Sequence, residues 1–266
     1  MEQSWMVQLP QGEISVQRWS PIEPRLGAVP WVLFHDSLGC NASWRDFPQQ
    51  LANATGQLVI GYDRLGFGLS SPRHGPLPLS FIQDEAELVE QLLEQLGLTQ
   101  FMAFGHSVGG AMAVEVAAHL PYDCVALVTE AAQCRVEAQT LDGIRRAQAD
   151  FAPNTHPESV AMQRLVKYHG ERAPWVLSAW TETWLNPAFA HWTLDHALRR
   201  VSCPTLILQG DRDEYATPAQ PKQMAAQLQG PVMLKLLPEL QHVPHREDPA
   251  LVLECIQQFL RDFGND

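Results

Sequence analysis

Apolar residues along this chain follow two rhythms. Trp31-Val-Leu-Phe34, Leu58-Val-Ile-Gly-Tyr62 and the stretch 101–104 are unbroken apolar runs of strand length, and similar runs follow at 125–129, 205–208 and 232–237. A strand that is apolar at every position is buried on both faces, the condition of a parallel sheet between two helical layers. Residues 13–19 alternate instead, as an exposed antiparallel strand near the start does. Helical patterns occupy 44–54, 81–96 and 111–119 between the runs. Ser80-Phe-Ile-Gln83 reads as a capping box for the second of these, and Gly97 closes it. Thr217-Pro218 and Asp248-Pro249 each pair a capping residue with a proline at a first helical position, opening the last two helices. The alternation predicts an α/β chain with a doubly wound, mostly parallel sheet, whose ligands bind at the carboxyl ends of the strands.

One region breaks the alternation. From 134 to 200 there is no good strand, only helical patterns interrupted at Pro153, Pro157, Pro174 and Pro187. This region is expected to be a helical cap inserted after the sixth strand, with 1–133 and 201–266 forming the core. It holds Trp175, Trp180, Trp184 and Trp192, half the chain's eight tryptophans. Leu177, Trp180 and Trp184 share one helical face at i, i+3 and i+7. That face either packs the cap onto the core or forms an aromatic wall over an apolar pocket, and both readings stay open here.

Composition narrows the partners. A chain of 266 residues buries a sizeable core as one large α/β domain, or as a core domain with a small insert. The net charge of −12 argues against nucleic acid or an anionic membrane as the main partner, since both reward basic patches. The opening Met1-Glu-Gln-Ser-Trp has neither a basic start nor an apolar signal core, and no apolar run is long enough to span a bilayer. Cys40, Cys124, Cys134, Cys203 and Cys255 are scattered, odd in number and without a CxxC pair, which suits a reducing cytoplasm. The expected partner is a small-molecule substrate, and a homodimer is compatible with it.

The chemistry centres on Phe101-Met-Ala-Phe-Gly-His-Ser-Val-Gly-Gly110. An apolar strand runs into Gly-His-Ser-Val-Gly and then a helix, which puts Ser107 on a sharp turn with its hydroxyl pushed outward as a nucleophile. Side chains two residues before and after it would collide with strand and helix, hence Gly105 and Gly109. Serine needs a base, itself oriented by a carboxylate. Acids follow the run 205–208 at Asp211 and Asp213, and histidines follow the run 232–237 at His242 and His245. Glu130, at the end of the run 125–129, is a competing acid that would need a partner, such as one in the pocket, if buried. His242-x-x-His245 also invites a metal reading, but no third ligand of sensible spacing accompanies it. His106 is expected to neighbour the turn, and Arg64 to brace its own loop or meet a substrate carboxylate.

In these pieces the chain resembles the α/β-hydrolase superfamily, over nearly its whole length. The resemblance rests on His35-Asp-Ser-Leu-Gly39, on Tyr62-Asp-Arg-Leu-Gly-Phe-Gly-Leu-Ser-Ser71, on the Gly105–Gly109 elbow, on Gly210-Asp-Arg-Asp213, and on His242 with the tail Glu247-Asp-Pro249. It implies Ser107 as nucleophile, Asp213 as acid and His242 as base, with an oxyanion hole from the N–H groups of Val108 and Ser37. It implies that Asp211 forms a turn, that His245 is a packing residue, and that no cofactor or metal takes part. Asp36 departs from the glycine more usual after the histidine, and its carboxyl narrows the space beside the hole. Trp180, Trp184, Asp36 and Glu130 are the candidate substrate contacts.

The implied reaction is hydrolysis of a small to medium ester or lactone through an acyl-enzyme. The loop His35 to Trp44 is similar to that of 3-oxoadipate enol-lactonases, and the loop Tyr62 to Ser71 to that of cofactor-free haloperoxidase-type esterases. Alternatives are carbon–carbon hydrolysis of a β-diketone, haloperoxidase or perhydrolase chemistry, and a non-catalytic binding protein of the same fold.

Overall fold

The computed structural model describes residues 2–151 and 159–263. Eight strands form one sheet in the order β1-β2-β4-β3-β5-β6-β7-β8. They are β1 (Glu2–Leu9), β2 (Gly12–Trp19), β3 (Trp31–Phe34), β4 (Val59–Tyr62), β5 (Phe101–His106), β6 (Cys124–Glu130), β7 (Thr205–Gly210) and β8 (Val232–Leu237). β1 and β2 pair antiparallel, as do β2 and β4, and every later pairing is parallel.

The helices are α1 (Phe47–Thr55), α2 (Phe81–Leu96), α3 (Val108–His119), α4 (Ala138–Asp150), α5 (Val160–His169), α6 (Ala173–Trp184), α7 (Asp195–Leu198), α8 (Ala219–Gln227), α9 (Pro244–Glu247) and α10 (Pro249–Phe263). Successive side chains of the central strands feed opposite layers. Trp31 and Leu33 of β3 pack with α1 and α10, whereas Val32 and Phe34 pack with α2 and α3. Burial on both faces is why these strands carry no polar alternation.

Four differences from the sequence expectation have local causes. β1 was not foreseen: most of its residues are exposed, so backbone pairing to β2 holds it and leaves little hydrophobic pattern. The helix expected over 44–54 is split into a 3-10 turn (Asn41–Trp44) and α1, because Arg45 takes φ 55°, ψ −127° and Pro48 sits in the first turn of α1. The capping box at Ser80 does not form. Ser80 lies at φ −85°, ψ 1°, not extended, and its hydroxyl donates instead to Asp84 at 2.8 Å. Pro174 and Pro187 begin helical turns instead of breaking them, since each falls in a first turn, where no N–H is needed. Pro153 and Pro157 lie outside the described residues. Asp248 caps α10 as expected, accepting from Leu251 N–H at 3.0 Å.

Between β6 and β7 the chain leaves the sheet to form α4 to α7. The two ends of this excursion close on each other: Arg135 bridges Thr193, and Leu194 N–H donates to Cys134 carbonyl at 2.8 Å. The helices therefore sit on a narrow neck over the carboxyl ends of the strands, where ligands of such sheets bind. Among the described residues no helix is long and apolar enough to cross a membrane.

Candidate active site

β5 delivers Ser107 directly into α3. Ser107 has φ 56°, ψ −126°, a conformation costing on the order of 1–3 kcal/mol for a residue with a side chain. Hydrogen bonds on both sides hold it, from Ser107 N–H to Glu130 carbonyl at 2.8 Å and from Gly110 N–H to Ser107 carbonyl at 2.9 Å. The glycines are needed for close approach: a Cβ on Gly105 would lie 2.3 Å from Gly109 carbonyl oxygen, and one on Gly109 would lie 2.1 Å from that of Phe34.

His242, on the loop between β8 and α9, places Nε2 3.0 Å from Ser107 Oγ and Nδ1 2.9 Å from each carboxylate oxygen of Asp213. Asp213 in turn accepts from Tyr215 N–H at 2.7 Å, from Ala216 N–H at 3.2 Å and from the Gln209 side-chain amide. Burial works against both charges, but their mutual attraction and hydrogen bond outweigh it. The Asp213 carboxyl is held below the usual carboxylate range and His242 is raised above the ordinary histidine value. With Asp213 ionised, Nδ1–H donates to it and Nε2 is left to accept the serine proton. His106 Nε2 lies 2.8 Å from His242 carbonyl oxygen and fixes the loop from below.

Two N–H groups border the serine. Val108 N–H opens α3 and has no acceptor within the helix, and Ser37 N–H makes no hydrogen bond to a described residue. Asp36 is held by its own loop. Its Oδ1 accepts from Leu38 N–H at 2.8 Å, and its Oδ2 is 3.6 Å from His106 Nδ1, an electrostatic contact beyond hydrogen-bond reach.

Ser107, His242, Ser37 and Asp36 line a cavity of about 380 Å³, whose walls also include Trp180, Trp184 and Tyr215. Trp180 and Trp184 line the cavity, Trp184 also packing into the main core, whereas Leu177 packs with Leu165 and Val176 against Phe67 of the core. Arg64 is a brace: buried, it donates to Asp36 carbonyl at 2.9 Å and lies 4.0 Å over the Phe67 ring. Asp211 forms a turn, accepting from Glu239 N–H at 2.8 Å.

Glu130 requires correction as a substrate contact. It is not in the cavity lining; at 0% exposure it hydrogen-bonds to His245 Nδ1 at 2.5 Å, and not to His242. The last residue of β6 points beneath the His242 loop, where His245 is wedged against Trp44 and Phe47 at ring separations of 4.8 and 5.2 Å. Burial raises the Glu130 carboxyl and lowers the His245 imidazole, so desolvation works against charge on both. His106, Glu130 and His245 together bring one potential metal-ligand atom each within 4.8 Å. Within that group Glu130 and His245 are in direct hydrogen-bond contact at 2.5 Å.

Sequence reasoning missed Gln209 and Gln133. A polar residue closing the apolar run of β7 was a usable signal for Gln209, which grips Asp213. Gln133, buried and cavity-lining, had no such signal. Tyr215, whose ring is 4.7 Å from that of His242, had no such signal either.

The sheet order, the strained serine between β5 and α3, and the strand-end histidine and aspartate define a hydrolase of the α/β type. Residues 43–249 match the family model described as "Serine aminopeptidase, S33", and the chain belongs to that family within the α/β-hydrolase superfamily. Among curated proteins it is 25% identical over 231 residues to a "Putative esterase/lipase 1" of Mycoplasma pneumoniae, covering 73% of this chain and 80% of that one. It is 24% identical over 259 residues to 2-succinyl-6-hydroxy-2,4-cyclohexadiene-1-carboxylate synthase of an Enterobacter species, covering 87% and 92%. Its fold matches that of a serine hydrolase from a polyaromatic-hydrocarbon-degrading Cycloclasticus bacterium with a TM-score of 0.80 at 16% identity, over the full length of both chains.

Proposed function

We propose that the protein hydrolyses small to medium carboxylic esters or lactones through an acyl-enzyme on Ser107. The observation that carries this reading is the continuous relay from Asp213 through His242 to Ser107 Oγ, at 2.9 and 3.0 Å, opening onto an aromatic cavity. His242 takes the serine proton as Oγ adds to the carbonyl, and the N–H groups of Val108 and Ser37 receive the developing oxyanion. His242 then returns the proton to the leaving oxygen, and water repeats the sequence to release the acid. The cavity, about 380 Å³, suits a bounded acyl group better than a long lipid chain. The Mycoplasma relative's name is in keeping with ester chemistry.

The family model's description favours a second reading, release of an N-terminal amino acid from a peptide. Both use the same relay, but an amide demands better protonation of its leaving group than an ester does. The test is kcat/KM on aryl esters from acetate to palmitate, an enol lactone, a β-diketone and amino-acyl anilides, with Ser107→Ala as control. Short or medium esters or lactones should lead the panel, and Ser107→Ala should lose about four to six orders of magnitude. A maximum at palmitate, a faster diketone or anilide, or a Ser107→Ala protein within about tenfold of the parent defeats the proposal.

A further inference from the structure

We infer that the substrate is anionic, carrying a carboxylate remote from the carbonyl that Ser107 attacks, and that Arg45, Arg164 and Arg246 receive it. This rests on the ester-hydrolase reading above and names the substrate class for the same site.

The first ground is charge against background. The chain has 30 acidic and 18 basic residues, so a cavity sampling it at random would be lined mainly by acids. Among the described residues, three arginines line it against two carboxylates, those of Asp36 and Glu214. With both carboxylates counted as ionised, the lining still carries one more positive than negative side chain, and Asp36 is turned to its own loop by Leu38 N–H at 2.8 Å.

The second ground is that the three guanidiniums come from unrelated segments and are largely unspent. Arg45 precedes α1, Arg164 belongs to α5 in the cap, and Arg246 to α9. Arg45 and Arg164 have no side-chain hydrogen bond or ion pair with a described residue. Arg246 spends one nitrogen on Ser43 carbonyl at 2.6 Å, which ties it to the loop beside the serine and leaves its other donors unspent. A guanidinium presents a planar fork of donors that matches a carboxylate.

The third ground is backbone cost. Arg45 at φ 55°, ψ −127° occupies nearly the same left-handed conformation as Ser107 at φ 56°, ψ −126°. Glycine would take this turn without a steric penalty. An arginine there accepts strain, breaks the helix expected over 44–54, and places an unpaired cation at the cavity. Strain of this kind collects where function over-determines it. The same three charges oppose an N-terminal ammonium, so the rim selects against aminopeptidase substrates.

The test compares the aryl half-ester of glutaric acid, an anion, with its methyl-capped neutral counterpart of equal length. The parent should favour the anion in kcat/KM by about tenfold or more at low salt, and the preference should shrink at high salt. In Arg45→Gln/Arg164→Gln the anion-to-neutral ratio should fall towards one. A readout free of turnover is the melting temperature of the Ser107→Ala protein with glutarate: it should rise, and the rise should vanish when the two arginines are also replaced. A parent indifferent to charge, a ratio unchanged in the double variant, or a prolyl anilide faster than the half-ester overturns the inference. Hydrolysis of neutral esters without anion preference removes this inference and leaves the hydrolase reading standing. Glutarate binding that depends on the arginines, with no ester hydrolysed, does the reverse.

Discussion

Two buried histidines three residues apart, His242 on the loop before α9 and His245 within α9, each meet a carboxylate, and the two pairs are shifted in opposite directions. In Asp213–His242 the acid is lowered and the imidazole raised, while in Glu130–His245 burial raises the acid and lowers the imidazole. Both carboxylates are fully buried, so burial alone does not separate them. The difference lies in what else each carboxylate is given. Asp213 accepts from two backbone N–H groups and the Gln209 amide besides His242, whereas among the described residues Glu130 Oε1 has no hydrogen-bond partner and Oε2 has only His245. Hydrogen bonds to the charged form keep Asp213 ionised, and their lack lets desolvation raise Glu130. In the proposed acyl transfer a permanent carboxylate suits a pair that holds an imidazolium briefly beside Ser107. A buried pair away from the cavity suits a prop under the loop.

The comparison breaks most visibly by deleting one charge from each pair. Asp213→Asn should lose roughly four orders of magnitude in turnover, because the imidazole tautomer is no longer held. Glu130→Gln should stay within about tenfold of the parent. The opposite ranking moves the acid to Glu130; comparable losses mean that the two pairs act as one.

Acidity sharpens the contrast. His242 accepts a proton only when neutral, and its pKa is raised above the ordinary histidine value of 6.5. Activity is thus present above that raised pKa and lost as pH falls through it, so the acid limb of kcat/KM should lie on the alkaline side of 6.5. Asp213→Asn should move the limb to lower pH, and Glu130→Gln should leave it in place. A limb at or below 6.5 in the parent contradicts the assigned state of His242.

Smaller effects come from the supporting groups. Gln209→Leu removes one donor from the Asp213 carboxylate, and a hydrogen bond to a charged group contributes about 1.5–3 kcal/mol, equivalent to a loss of roughly ten- to hundredfold in kcat/KM. An unchanged kcat/KM would mean that the backbone donors suffice. His245→Leu leaves the Glu130 acid without its partner and should cost about 1–3 kcal/mol in urea denaturation while kcat stays within about tenfold. A loss of kcat as large as that of Asp213→Asn would make the prop part of the relay.

Much of this was legible in the sequence, for identifiable reasons. Continuous apolar runs located six of the eight strands because burial on both faces leaves no other composition, and alternation located β2. Glycines and the strand-to-helix turn pointed to Ser107, strand ends and chain order pointed to acids after β7 and histidines after β8, and the resemblance to α/β-hydrolases implied Asp213 and His242 among them. β1 was not, since an exposed edge strand is held by its backbone. Glu130 was misread because its position at a strand end is informative but its direction is not. Whether that carboxylate reaches His242 or His245 depends on packing by Trp44 and Phe47, some eighty residues earlier in the chain. The unpaired state of Arg45 was likewise hidden, because a left-handed arginine inside a helical pattern has no sequence signature.

The most direct measurement traps the acyl group itself. The protein is mixed with excess activated aryl ester, quenched in acid during turnover, and mapped by peptide mass spectrometry. The expected result is one acyl increment on the peptide holding Ser107, absent in Ser107→Ala and accumulating more slowly in Asp213→Asn. Turnover of the ester with no adduct on Ser107, or with the adduct on another side chain, contradicts covalent catalysis by this serine.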